Sequence, residues 1–311
     1  MHPFPRRSTR RSIAAGGLLL AAGLLASPAS AQTASEGLSP TLASIKRTHV
    51  VRLGYRESSP PFSFLDHSNR PIGYSLELCE GIVEEIGVEV DDANLKVEYV
   101  KVTSDDRIPA VTQNKIDLEC GSTTANAERA KQVAFSPLIF VAGTKLMVPK
   151  ASTISAPTDL KGKTVVVTKG TTNEQAMHAI DKKFSLGLNI VTSPDHEQSY
   201  QMLVDGKADA FATDDILLYG LIARHKAQGQ FKVTGEYLSY DPYGIMFRKG
   251  EPQLKAVVER TFQKLGSGRD LIPLYNKWFV ARLPTGEKLG VAISPQLEEA
   301  FKVLDDKHGS N

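Results

Sequence analysis

Several short runs place hydroxyls, guanidiniums and acids where they can meet a small ion. Ser122, Thr123 and Thr124 follow Gly121, and Arg129 stands a few positions on. Hydroxyls, free backbone N–H groups at a helix start and a planar guanidinium together suit a carboxylate. The same residues also read as an ordinary capped helix with a surface arginine. A second run, Lys169-Gly170-Thr171-Thr172-Asn173-Glu174, repeats glycine, hydroxyls and a helix start. It does not carry the glycine-lysine pair of a phosphate-cradling loop. Arg56, Ser104 and Arg107 add two guanidiniums and a hydroxyl. His196 adds a neutral donor or a proton-sensitive cation, and Asp214 an anion. A ligand with two carboxylates and one ammonium fits this set, because each carboxylate can take a bidentate arginine and the ammonium needs an acid. Acidic amino acids answer to that description. Taken singly, each residue has a plainer reading: a surface salt bridge for an arginine, a structural His196, and an Asp214-Asp215 pair in which one acid caps the next helix. Three arginines against one aspartate exceed the charge of such a ligand. The balance is expected from Glu57 or Asp215, or from a neutral His196.

What joins these residues is that they fall at strand ends. Strands are expected over 49–55, 95–102 and 116–120, with helices over 76–86 and from Ser104, which reads as a natural cap. The order β, α, β, α, β, α indicates an α/β fold with mostly parallel sheets, whose ligands bind beyond the carboxyl ends of the strands. A second such unit follows: strands over 160–168, 189–193 and 208–213, and helices over 198–204 and 216–228. The apolar run 138–148, broken by Gly143, and the strand over 243–248 read as two crossings between lobes. The chain then closes with helices over 253–267 and 271–279 and a polar tail.

Composition sets the limits. The 311 residues allow about two domains, and Lys+Arg at 37 against Asp+Glu at 35 does not suggest a nucleic-acid binder. Arg6, Arg7, Arg10 and Arg11 are the only charges before Glu36, and they precede an apolar run over 13–26 and the small-residue end Ala29-Ser30-Ala31. This reads as a signal peptide cut after Ala31, too short to span a membrane comfortably. Residues 32–40 are expected to be flexible. Cys79 and Cys120 both follow the cut, and in an exported chain the even count favours a disulfide over two buried thiols. Two cysteines without matching histidine spacing leave no metal site to expect, and no motif asks for a cofactor.

An ordered set of motifs then stands out: Gly54-Tyr55-Arg56-Glu57-Ser58-Ser59, Thr103-Ser104 with Arg107-Ile108-Pro109, Glu119-Cys120-Gly121-Ser122-Thr123-Thr124 with Glu128-Arg129, Asp159-Leu160-Lys161-Gly162-Lys163, Gly170-Thr171-Thr172, Asp195-His196 and Asp214-Asp215-Ile216-Leu217-Leu218. From residue 42 to residue 279 the chain resembles the exported solute-binding proteins of polar amino-acid ABC importers, within them the glutamate/aspartate-binding branch. It departs at Ala125-Asn126-Ala127, where an asparagine pair is common, and in the tail. The resemblance implies a two-lobed periplasmic-binding-protein (type II) fold, two Rossmann-like domains joined by two hinge strands. Lobe 1 would comprise 41–140 plus 242–311, and lobe 2 would comprise 141–241. It implies that Arg129, Ser122, Thr124 and Thr172 hold an α-carboxylate, Asp214 an α-ammonium, and Arg56, Ser104, Arg107 and His196 a side-chain carboxylate. It further implies capture of L-glutamate or L-aspartate by hinge closure, delivery to an inner-membrane permease, a periplasmic location and a monomeric state. Two rivals use the same fold: a periplasmic cyclohexadienyl-type dehydratase, which needs a general acid such as Glu57 or His196, and a ligand-sensing domain.

Overall fold

The computed structural model describes residues 37–306. The expected signal peptide, residues 1–31, lies outside the described residues. The first helix is α1 (Pro40–Thr48), followed by β1 (Val50–Tyr55) and the short strands β2 (Ser58–Ser59), β3 (Ser63–Leu65) and β4 (Pro71–Ile72). Then come α2 (Tyr74–Val90), β5 (Lys96–Lys101), α3 (Arg107–Thr112), β6 (Leu118–Glu119), β7 (Val133–Phe135) and β8 (Phe140–Ala142). The next group is β9 (Thr144–Pro149), β10 (Thr164–Thr168), α4 (Thr172–Phe184), β11 (Asn189–Ser193), α5 (His196–Val204), β12 (Ala210–Asp214), α6 (Asp215–Arg224) and β13 (Phe231–Thr234). The chain ends through β14 (Asp241–Tyr243), β15 (Met246–Arg248), α7 (Pro252–Ser267), α8 (Leu271–Tyr275) and α9 (Pro295–Asp306).

Two five-stranded sheets result, in the orders β5-β1-β6-β15-β7 and β11-β10-β12-β9-β13. In the first, β1 runs parallel to β5 and β6, while β15 is antiparallel to β6 and β7. In the second, β10 is parallel to β11 and β12, while β9 is antiparallel to β12 and β13. The sequence shows why these strands are central. β10 reads Thr-Val-Val-Val-Thr, stiff β-branched residues suited to a strand covered on both faces. Val165 and Val167 pack with Met177 and Ile180 of α4, and Val166 packs on the other face with Tyr200 and Leu203 of α5. Each such fully buried side chain contributes roughly 1.5–3 kcal/mol. In the first sheet, Leu78, Ile82, Val83 and Ile86 of α2 recur at helical spacing and all enter the core. A disulfide joins Cys79 in α2 to Cys120 just beyond β6.

The chain crosses between the sheets twice. β8 carries it out of the first sheet and β14 brings it back, and the two pair antiparallel with Phe140 opposite Tyr243 and Ala142 opposite Asp241. Beneath them sits an aromatic cluster. Phe62 meets Phe140 and Tyr243 edge-on at 5.1 Å each and Phe279 at 5.4 Å. This pins the first sheet's side of both crossings.

Three expectations change. Residues 122–128 do not start a helix: the only helical turn there is the 3-10 segment Arg129–Lys131. The backbone of Ala125 is held by Pro242 O at 2.7 Å, and Asn126 closes the turn by accepting from the Arg129 N–H at 2.9 Å. Ser104 does not cap α3. Thr103 and Asp106 bond each other reciprocally instead, Asp106 Oδ1 accepting from Thr103 N at 2.7 Å and Thr103 Oγ1 from Asp106 N at 3.2 Å. The stretch after Phe279 is not simply a polar tail, because α9 buries Leu297 and Phe301 in the core that also holds Phe262 and Leu271.

Candidate functional site

Each candidate side chain is delivered by the end of an element. Arg56 follows β1, and its backbone N–H is fixed by Ser63 Oγ at 2.8 Å. Arg107 opens α3, Ser122 and Thr124 follow β6, and Thr172 opens α4 behind its cap Thr171, whose hydroxyl accepts from the Glu174 N–H. His196 opens α5 behind the cap Asp195. Asp214 ends β12.

Seven of the nine expected residues, Ser104, Arg107, Ser122, Thr124, Thr172, His196 and Asp214, line one small, tightly closed-in cavity of about 10 Å³ between the two sheets. Arg56 and Arg129 are equally buried, at 1% and 7% exposure, but stand behind its wall. Several donors on this wall and just behind it are free to bond. Arg56 Nη1 and Nη2, Arg107 Nε, Ser104 Oγ and Ser122 Oγ are all buried and make no hydrogen bond within the described residues. Buried polar groups are nearly always paired in folded proteins, so five such atoms at one place point to a ligand. The freedom of Ser104 follows from the reciprocal bonds of its neighbours Thr103 and Asp106. The larger concavity between Pro60, Phe64, Gly220 and Leu283 has two such atoms on its lining, Arg224 Nη1 and Glu287 Oε2, against the five gathered here.

Opposite the cations stands Asp214. Its Oδ1 accepts from Asn173 Nδ2 at 2.8 Å, and its Oδ2 from the Tyr243 hydroxyl. Burial, and then the neighbouring Asp241, push its carboxyl up to about 7, although both hydrogen bonds favour the ionised form. An ammonium placed there would remove that penalty. Asp241 collects hydroxyls from both sheets: Thr124 Oγ1 donates at 3.0 Å and Thr172 Oγ1 at 2.7 Å. Arg129 also reaches across, donating from Nη1 to Thr124 O at 3.0 Å and from Nη2 to Gly170 O at 3.4 Å.

The arginines crowd one another. Burial first and the charge of Arg107 second lower Arg56 to about 10 and Arg129 to about 9. His196 is held neutral, since burial and then Arg56 and Arg107 keep it well below the usual imidazole range. Its Nδ1 is engaged by Thr168 Oγ1 at 2.8 Å, which leaves Nε2 for the cavity. The neutral imidazole is thus one part of the charge balance. Glu57 is not: it pairs with Lys101 at the surface. Nor is Asp215, which is turned to the Tyr237 hydroxyl at 2.8 Å and is not among the main charges acting on the three arginines. The buried acids that face the arginines are instead Glu119, Asp214 and Asp241. Glu119 and Asp241 were missed, as were Asn173 and Tyr243. Glu119 carried one usable signal, a charged residue between Leu118 and Cys120 in a strand otherwise bound for the core.

The lobes meet on either side of the cavity. Lys169 Nζ lies 2.8 Å from Asp105 Oδ2 across one lip. At the other, α6 passes so close to the Pro60 turn that a Cβ on Gly220 would fall 2.3 Å from Pro60 O, so only glycine fits.

The model of the bacterial extracellular solute-binding proteins, family 3, matches residues 51–281. The L-glutamate/L-aspartate-binding protein of Pseudomonas aeruginosa is 40% identical over 93% of this chain and 96% of its own length. The glutamate/aspartate import solute-binding protein of Escherichia coli is 36% identical over the same shares. Among solved structures, a mutant of ArgBP from T. maritima superposes with a TM-score of 0.69 at 27% identity, over 78% of this chain and all of that one.

Proposed function

Because the chain belongs to the family-3 bacterial extracellular solute-binding proteins, we propose that it captures L-glutamate or L-aspartate and delivers the amino acid to the permease of an ABC importer. The observation that carries this is the set of unpaired buried donors on Ser104, Arg107 and Ser122, with Arg56 behind them, at the cavity that the raised carboxyl of Asp214 also lines. Arg129, Ser122, Thr124 and Thr172 hold the α-carboxylate and Asp214 the α-ammonium. Arg56, Ser104, Arg107 and His196 hold the side-chain carboxylate. A neutral amide in that place leaves buried guanidinium charge unpaired, which costs several kcal/mol and separates acidic ligands from glutamine.

Residues 41–140 with 242–311 form lobe 1, residues 141–241 form lobe 2, and β8 and β14 are the hinge. The ligand bridges the lobes and stabilises their closed arrangement. Asp241, which takes a hydroxyl from each lobe, is a natural fulcrum. The protein reaches the periplasm by a signal peptide cut after Ala31 and acts as a monomer. The dehydratase reading has less support: Glu57 is tied to Lys101, and His196 is neutral with Nδ1 engaged, so neither is a ready general acid.

Calorimetric titration with the common amino acids tests this reading. One-to-one binding of glutamate or aspartate, unchanged on prolonged incubation, is expected. Turnover of a cyclic dicarboxylate, or tighter binding of glutamine than of either acid, would refute it. Native mass spectrometry checks the stoichiometry and the monomeric state.

A further inference from the structure

Glu119 has no exposed surface and sits among three buried guanidiniums. Its Oε2 accepts the Thr123 hydroxyl at 2.6 Å, and its Oε1 makes no hydrogen bond within the described residues. The next residue but one is Gly121, and a Cβ there would fall 2.3 Å from Glu119 Oε1 and 3.0 Å from Arg56 Cγ. The glycine therefore makes room for the carboxylate to fold back against the Arg56 stem. The charge of Glu119 acts on Arg56, Arg107 and Arg129 alike, in each case favouring the guanidinium form. It touches none of them closely enough to form an ion pair. Its negative charge is shared, and no arginine fork is spent on it: both Nη atoms of Arg56 and Nε of Arg107 stay unpaired.

We infer that Glu119 sets the charge of ligand that the site selects. With Arg56, Arg107 and Arg129 set against Glu119 and Asp241, with His196 neutral, and with the raised Asp214 carboxyl holding its proton until an ammonium arrives, the empty site carries one net positive charge. It then takes a ligand of one net negative charge and rejects one of two, such as a dicarboxylate of the same length without an ammonium. Removing the Glu119 charge makes the cavity more positive. The gain in binding grows with the ligand's own charge, because the interaction is Coulombic at a distance of several ångströms in a poorly solvated interior. Glu119 is a specificity-determining residue that acts through the arginines. This inference rests on the acidic amino-acid reading of the cavity.

The test compares glutamate, glutarate and glutamine in the wild type, Glu119→Gln and Thr123→Val. In E119Q the affinity for glutarate relative to glutamate rises about tenfold or more, and glutamine changes least. Thr123→Val removes the hydrogen bond and keeps the charge, so its ratio stays at the wild-type value. A purely structural role would move both variants together and leave the ratio flat. The double variant R56Q/E119Q serves where E119Q alone folds poorly, since it restores the balance of buried charge. It binds glutamate about tenfold more tightly than R56Q does. A double variant no tighter than R56Q, or an unchanged glutarate-to-glutamate ratio in E119Q beside normal glutamate binding by the wild type, overturns the inference alone. A wild type that binds no acidic amino acid overturns the reading of the site and this inference with it.

Discussion

Arg107→Met tests the proposed recognition of the side-chain carboxylate, because methionine keeps most of the arginine's length and removes its charge. In the protein Arg107 has one weak bond of its own, Nη1 to Ser122 O at 3.4 Å, and its Nε has none within the described residues. Its charge also pushes down both Arg56 and Arg129. Little structure therefore depends on it, and the unliganded R107M protein is expected to melt no lower than wild type. Binding responds differently. Truncating one partner of a buried, hydrogen-bonded charge pair costs about 2–5 kcal/mol, and a value of about 3 kcal/mol corresponds to a loss of roughly 150-fold for glutamate. For glutamine only a hydrogen bond to a neutral group is lost, about 1 kcal/mol or roughly fivefold. Isothermal titration with both ligands should thus show their preference narrowing by about thirtyfold, with thermal melts run alongside. Equal losses for glutamate and glutamine, together with a lower melting temperature, would mean that Arg107 holds the fold and not the ligand.

Other consequences can be measured in the same assays. Because Asp214 sits at about 7 before binding and the ammonium needs it ionised, affinity falls as pH drops through 7, and Asp214→Asn abolishes that slope; a flat profile from pH 8 to 5.5 refutes the pairing. The same carboxyl keeps its proton in the folded chain up to about pH 7 but loses it near 3.8 when unfolded, so unliganded stability should decline across that interval as pH rises. Joint replacement of Cys79 and Cys120 by alanine, opening a crosslink of sequence separation 41, should lower unfolding stability by about 4 kcal/mol on loop entropy, read by urea titration under oxidising conditions. Gly220→Val drives a side chain into Pro60 O and should weaken glutamate and aspartate by the same factor, on the order of tenfold; a change in their ratio would show that Gly220 senses the ligand directly.

Much of the fold could be read in the sequence because long-period signals are local. The valine run of β10 and the apolar spacing of α2 each specify an element and its buried face. The α9 segment escaped because its apolar residues are few, and their burial depends on α7 and α8. The candidate site was legible where a charged or ionisable residue type stands out at the end of an element: Arg56, Arg107, Arg129, His196 and Asp214. Roles set by tertiary neighbours were not legible. Ser104 looked like a helix cap, and only the pairing of Thr103 with Asp106 releases its hydroxyl for the cavity. Asp241 is far in sequence from both threonines that it accepts from. Glu119 looked like part of a strand, and its meaning depends on three arginines brought from separate elements.

The order of strands in the first sheet bears on how the chain matures. β15 lies between β6 and β7, yet the whole second sheet precedes it in sequence. A polypeptide emerging N-terminus first has every strand of the second sheet by Thr234, while β6 and β7 still face each other across an unfilled gap. Pairing of β8 with β14 then brings Phe140 and Tyr243 together, and the long loop entropy that Met246–Arg248 would otherwise have to overcome is already met. The later-synthesised lobe is thus expected to act as the splint on which the earlier one is finished, which pulse-labelling of β6 and β15 amides during refolding would check. A chain stopped before Met246 would carry a foldable second sheet beside an open β6 edge, the kind of surface that recruits other strands and invites aggregation.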